Sequence, residues 1–170
     1  MTRRPPLSWF TLAAVLGTVH AVASISWALG GDLLVETVGE WARSWREASP
    51  LSAGLALGTI GVGKLAAAWV PWVAARRGGP RHGLRLAAWL GAAGLGLYGL
   101  ANTVAGAVAL TGVLGPLDDP VATRGHVLLW DPLFLLWALA LAAGLWATRE
   151  RRPTPEGAGR RPDAVGLRRG

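Results

Sequence analysis

Apolar and polar positions alternate along this chain in long blocks. Residues 7–29 are apolar except for His20 and small hydroxyl side chains. Residues 51–75 are almost wholly apolar, with Lys64 near the centre. Residues 84–114 and 132–148 form two further apolar runs. At about 1.5 Å per residue, each run is long enough, or nearly so, to cross the ~30 Å hydrocarbon core of a membrane. The pattern predicts an all-α integral membrane protein, a four-helix bundle.

The connecting blocks differ in kind. Gly30 and Gly31 end the first helix, since glycine is favoured just past a C-terminus. In residues 32–47, Leu34, Val38, Trp41 and Trp45 recur at helical spacing, while Asp32, Glu36, Glu40, Arg43 and Glu47 fill the other faces. This predicts an amphipathic helix resting at the membrane interface between helices one and two. Pro71 is expected to bend the second span. The third run is longer than a span needs, so it tilts or ends early. Asp131-Pro132 has the form of an N-cap followed by proline at the first helical position. Residues 1–148 form the predicted membrane domain. Residues 149–170 are rich in Pro, Gly and Arg without apolar periodicity, which predicts a disordered basic cytoplasmic tail. The first span also has the charge and small-residue features of a signal peptide, with Ala21-Val22-Ala23 at the cleavage position. Its apolar stretch continues to Leu29, which favours a retained helix.

Charge settles orientation. Arg3, Arg4, Arg76, Arg77, Arg81, Arg85 and the arginines of the tail fall on one side; Arg43, Arg46 and Arg124 fall on the other, with most of the acidic residues. Both termini are expected in the cytoplasm, in a bacterial plasma membrane, with anionic lipid at that face. The formal net charge of +7 therefore reads as topology and not as a nucleic-acid surface. The absence of cysteine excludes disulfides and thiolate sites, and the ten tryptophans fit interfacial belts.

The candidate chemistry lies inside the spans. A lysine at mid-membrane costs about 2.5–3.5 kcal/mol to insert and needs a partner. Small residues mark expected contacts: Ala13, Gly17, His20, Ser24 and Trp27 on helix one; Gly54, Gly58 and Gly61 on helix two; Gly91, Gly94, Tyr98, Asn102 and Ala105 on helix three; Ala138 and Ala142 on helix four. Helical rise sets His20, Lys64 and Tyr98 about 18–20 Å above the basic boundary, and Ser24, Asn102 and Asp131 about 25–27 Å above it. His20, Ser24, Lys64, Tyr98, Asn102 and Asp131 thus form the candidate polar cluster, with Asp131 as the acid placed to face Lys64. No catalytic, cofactor or metal motif is present: no P-loop, dinucleotide fingerprint, G-x-S-x-G or H-E-x-x-H occurs.

Two stretches carry a resemblance. HAVASISWALGG, from His20 to Gly31, and HVLLWDPLFLL, from His126 to Leu136, resemble signatures of an uncharacterised bacterial membrane-protein family, domain of unknown function 3995. The matching residues are His20, Trp27, Gly30, Gly31, Trp130, Asp131 and Pro132. The resemblance implies a small four-helix membrane protein and carries no activity, cofactor or catalytic residue. Three functions follow as expectations. The first is a non-enzymatic structural or accessory component, partnered by a membrane protein or its own copies. The second is a small-molecule or ion binding or transport module with an outward-opening polar pocket. The third is a membrane enzyme using His20 and Asp131 as an acid–base pair.

Overall fold

The computed structural model describes residues 7–149, so the basic lead 1–6 and the tail beyond 149 lie outside it. Among the described residues the fold is all-α. The elements in chain order are α1 (Leu7–Ala28), a 3-10 turn (Val35–Thr37), α2 (Glu40–Ala48), α3 (Pro50–Arg76), α4 (His82–Leu110), α5 (Pro120–Gly125), a π turn (His126–Trp130) and α6 (Asp131–Ala147). Four helical stretches are long and apolar enough to cross a membrane: Ser8–Ala28, Pro50–Arg76, His82–Leu110 and Pro120–Ala147.

The long helices lie side by side in the order α3, α1, α6, α4, and α3 barely meets α4. The inner pair is therefore α1 and α6. About half of each inner span is buried, 44% and 50%, against 17% for α3 and 6% for α4. Two apolar clusters fill the interior. One joins Phe10, Ala68, Ala88, Trp137, Leu141 and Leu145. The other joins Ala23, Trp27 and Trp130, with Val35 and Val38 packed against it.

Close approach depends on missing side chains. A Cβ on Gly61 would stand 2.6 Å from Ile25, and one on Gly54 would stand 2.9 Å from the Ala28 carbonyl. The Gly54–Gly58–Gly61 stripe thus lies against α1. On α4 the contact strip is not the one expected. Gly91 and Gly94 face open space, whereas a Cβ on Gly99 would meet the Asp131 carbonyl at 2.6 Å. Ala88 and Ala92 are buried beside Gly99. Alanine and glycine surround α4 on every side, so spacing alone could not choose between neighbouring strips.

Two further expectations are corrected. Residues 32–47 do not form one helix: Leu34 (φ 53°) and Gly39 (φ 118°) break it, and only Glu40–Ala48 is α-helical. The first part is drawn onto the bundle end, where Val35 and Val38 pack on Trp27 and Trp130. Nor does Asp131 cap the last helix. The helical path begins at Pro120, and Asp119 is its cap, accepting from the Ala122 N–H at 2.9 Å. Pro71 lies buried inside α3, which continues through it, and α4 stops at Leu110, short of the expected 114.

Gly99→Ala forces α4 off α6 and is expected to cost about 1–3 kcal/mol by overpacking. Gly91→Ala, in open space, leaves stability unchanged or slightly higher. Thermal unfolding of both variants in mild detergent checks the assignment of the contact strip.

Candidate functional site

Lys64 follows Gly61 by one helical turn, where α3 packs tightly on α1. Its amine therefore reaches across to α1. Nζ donates to Ser24 Oγ at 2.8 Å and lies 3.0 Å from His20 Nδ1. An ammonium can only donate, so a charged Lys64 makes Nδ1 the acceptor and leaves the imidazole proton on Nε2. His20 Nε2 is buried and finds no hydrogen-bond partner among the described residues. The imidazole lies against Phe134, with ring centroids 3.8 Å apart, and 5.5 Å from the Trp130 ring. Lys64 Nζ stands 5.4 Å from the centre of the same Phe134 ring. His20 and Ser24 are fully buried, while Lys64 is half-buried.

Asp131 turns elsewhere. It is 2% exposed, and its carboxylate lies 3.4 Å from His126 Nδ1. His126 Nε2 in turn lies 3.4 Å from the Val38 carbonyl. Five residues apart, His126 and Asp131 would stand about 140° apart around a regular α-helix. The π turn between them, closed by the Asp131 N–H on the His126 carbonyl, brings them to one side. The turn directly precedes Pro132, which has no N–H for the helical ladder. Asp131 is therefore the partner of His126, not of Lys64, and it makes no acid–base pair with His20.

The remaining candidates lie at the margin. Tyr98 meets Phe134 edge-on at 5.5 Å and is 51% exposed. Asn102 donates to the Tyr98 carbonyl one turn back and does not reach the cluster. The structure thus gathers His20, Ser24 and Lys64 directly, sets Tyr98 beside them through Phe134, and leaves Asn102 outside. Phe134 and His126 are the residues that sequence reasoning undervalued. Phe134 looked like any apolar residue of a span, and the role of His126 depends on the π turn.

A strap over the end of the helices away from the 76–81 loop holds the second half of the site. Gly30 (φ 84°) and Gly31 close α1: the Gly31 N–H bonds the Ser26 carbonyl at 2.8 Å and the Gly30 N–H bonds that of Trp27 at 3.2 Å. Trp27 Nε1 then donates to the Leu33 carbonyl at 2.6 Å and Trp130 Nε1 to Thr37 Oγ1 at 2.9 Å. Arg46 pairs with Asp32 at 2.9 Å, and Arg43 with Asp119 at 3.3 Å. The Ala122 N–H, and after it Arg43, hold the Asp119 carboxyl below the usual carboxylate range against the opposing effect of desolvation. A cavity of about 830 Å³ opens here between α1, α2 and α3, lined by Trp27, Gly30, Asp32, Arg43, Arg46 and Glu47 among others; none of the six cluster residues lines it.

The family model for proteins of unknown function, DUF3995, matches residues 17–141. The chain belongs to the DUF3995 family. All six candidate residues fall inside the match, as do Trp27, Gly30, Gly31, Trp130 and Pro132. No curated protein and no solved structure matches the chain. Within this DUF3995 protein the motif residues have visible structural duties. Gly30 and Gly31 turn the chain, Trp27 and Trp130 pack edge to face at 5.3 Å and bind the strap, and Pro132 follows the π turn. Among the described residues no three His, Asp or Glu side chains gather as metal ligands.

His126→Ala leaves the Asp131 carboxyl buried without that partner and is expected to cost about 1–3 kcal/mol. The double variant with Asp131→Ala should lose less than the sum of the two single losses. A double-mutant cycle by thermal unfolding measures the coupling.

Proposed function

We propose that this DUF3995 protein is a multi-pass protein of the bacterial plasma membrane, built as a four-helix bundle and acting as a non-enzymatic accessory component of a membrane assembly. The observation that carries this reading is the division of surfaces. Lys64 engages the buried His20 and Ser24 and His126 engages the buried Asp131, while α3 and α4 turn most of their length outward. On α4 the outward strip includes Gly91 and Gly94, in open space, where another helix can approach closely. His20, Ser24 and Lys64, together with Asp131 on His126, act in this reading as the polar groups that fix helix register, with no catalytic role.

Membrane placement follows from the same features. The loop between α3 and α4 carries Arg76, Arg77 and Arg81, and Arg85 follows one turn into α4. Arg76 stacks on Trp72 at 4.7 Å and Arg149 on Trp146 at 4.4 Å, an arrangement suited to an interface rich in anionic lipid. Arg85 donates to the Leu145 and Thr148 carbonyls and so ties the end of α6. Both ends of the chain belong at this cytoplasmic face. At the opposite face α2 has no buried residue and stacks Trp41 on Trp45 at 6.4 Å, which suits an amphipathic helix lying along the interface. The chain has no cysteine. A single cysteine at Ser44→Cys should therefore react with an impermeant maleimide in intact cells, and one at His82→Cys only after permeabilisation. The reverse pattern sinks the orientation.

A second reading, a binding or transport module with an outward-opening pocket, is favoured by one observation: the buried, unpartnered Nε2 of His20 beside Lys64. Liposomes loaded with a pH-sensitive dye separate the two. The accessory reading expects proton flux equal to that of empty liposomes, and faster flux that is lost in His20→Ala supports the pocket.

A further inference from the structure

Lys64 lies near the middle of α3, and every group it touches is neutral: Ser24 Oγ, His20 Nδ1 and the Phe134 ring. The ion pairs among the described residues engage Arg43 and Arg46, and the Asp131 carboxyl lies against His126; none of them involves Lys64. An ammonium has three donors, and these contacts use two. In a low-dielectric surround such a cation calls for an anion at its own depth.

We propose that the face between α3 and α4 receives a membrane-spanning helix of a different protein, one that carries a carboxylate at mid-membrane depth, with Lys64 as its ion partner. The proposal rests on the accessory reading and names the chemistry of its partner. Ile60 and Ala67, one turn to either side of Lys64 on the same face of α3, are exposed. Gly91, Gly94 and Tyr98 form an exposed strip of α4. Phe134 of α6 joins the two walls, touching Lys64 from one helix and Tyr98 from the other. Since α3 and α4 barely meet, an apolar floor with a cation on one wall and a phenol on the other stays uncovered. The Tyr98 hydroxyl supplies a second donor for a carboxylate.

Other occupants fit less well. A second copy of the chain brings no acid to this level. Of its ten Asp and Glu, only Asp131 lies inside the spans, and Asp131 is buried on His126. A lipid phosphate sits at the headgroups, about 15 Å from the centre of a ~30 Å core.

The test uses the full chain in neutral phosphatidylcholine liposomes, with a donor dye at His82→Cys. The probes are acceptor-labelled synthetic Leu/Ala helices carrying one central Glu, one central Gln, or one Glu moved two turns toward an end. The central-Glu helix should associate about tenfold more tightly than the other two, in keeping with a desolvated charge pair. Lys64→Leu should abolish that preference and Lys64→Arg should keep it. If Lys64→Leu does not fold, the three probes on the unaltered chain still decide. Equal binding of the Gln and Glu helices overturns the proposal, as does a Glu preference that survives in Lys64→Leu. Energy transfer between two copies of the chain that is lost in Lys64→Leu assigns the face to self-association and also overturns it. Cysteine labelling is read separately. The expected labelling pattern without a Glu preference sinks this proposal and leaves the accessory reading standing.

Discussion

The amine of Lys64, held between α3 and α1, is the interaction on which the architecture turns. Its cost and its returns are close in size. Inserting a lysine at mid-membrane costs about 2.5–3.5 kcal/mol. Interhelical hydrogen bonds within membranes average about 0.6 kcal/mol each. A cation–π contact adds about 0.5–2 kcal/mol. The bonds to Ser24 and His20 and the contact with Phe134 thus roughly offset the insertion cost and leave little over. A leucine at this position would carry no such cost. The lysine therefore contributes register and chemistry and little net stability: it fixes α3 against α1 at one level and sets a charge beside an uncovered face.

Stability must come from packing, and the helix order shows where. Because α1 and α6 form the inner pair, each is covered on two sides, and the large buried side chains Phe10, Trp137 and Leu145 belong to them. The outer helices supply small residues at the points of contact: Gly54, Gly61 and Ala68 from α3, and Ala88, Ala92 and Gly99 from α4. Knobs on the inner helices thus meet holes on the outer ones, the arrangement expected where dispersion replaces the hydrophobic drive between helices.

Much of this was legible in the chain and some was not, for physical reasons. Four apolar runs and the glycine pair after the first were plain, because length and helix-stop chemistry are local. The level shared by His20 and Lys64 followed from helical rise, and the two residues do meet. The contact strip of α4 was hidden because Ala and Gly occupy nearly every face of that helix. The segment 32–47 carried a helical apolar period, but Trp27 binds the Leu33 carbonyl and Trp130 the Thr37 hydroxyl, and those tertiary bonds override local helix propensity. Leu34, expected on the buried face, is half-exposed, while Val35 and Val38 pack inward.

The last helix shows how one motif can read two ways. Asp-Pro occurs at 119–120 and again at 131–132, and either pair could open a helix. A cap needs an end, and only Asp119 has one: its carboxylate is free to accept from Ala122 because nothing helical precedes it. At Asp131 the chain is already helical, so the proline that follows must be accommodated inside the helix. The π turn does this by widening the ladder before Pro132, and in widening it rotates His126 toward Asp131. The carboxyl that would have been a cap becomes the buried partner of His126, which ties it to Val38 of the strap. One backbone irregularity thus takes the only acid of the spans away from Lys64 and leaves that lysine without an internal counter-ion.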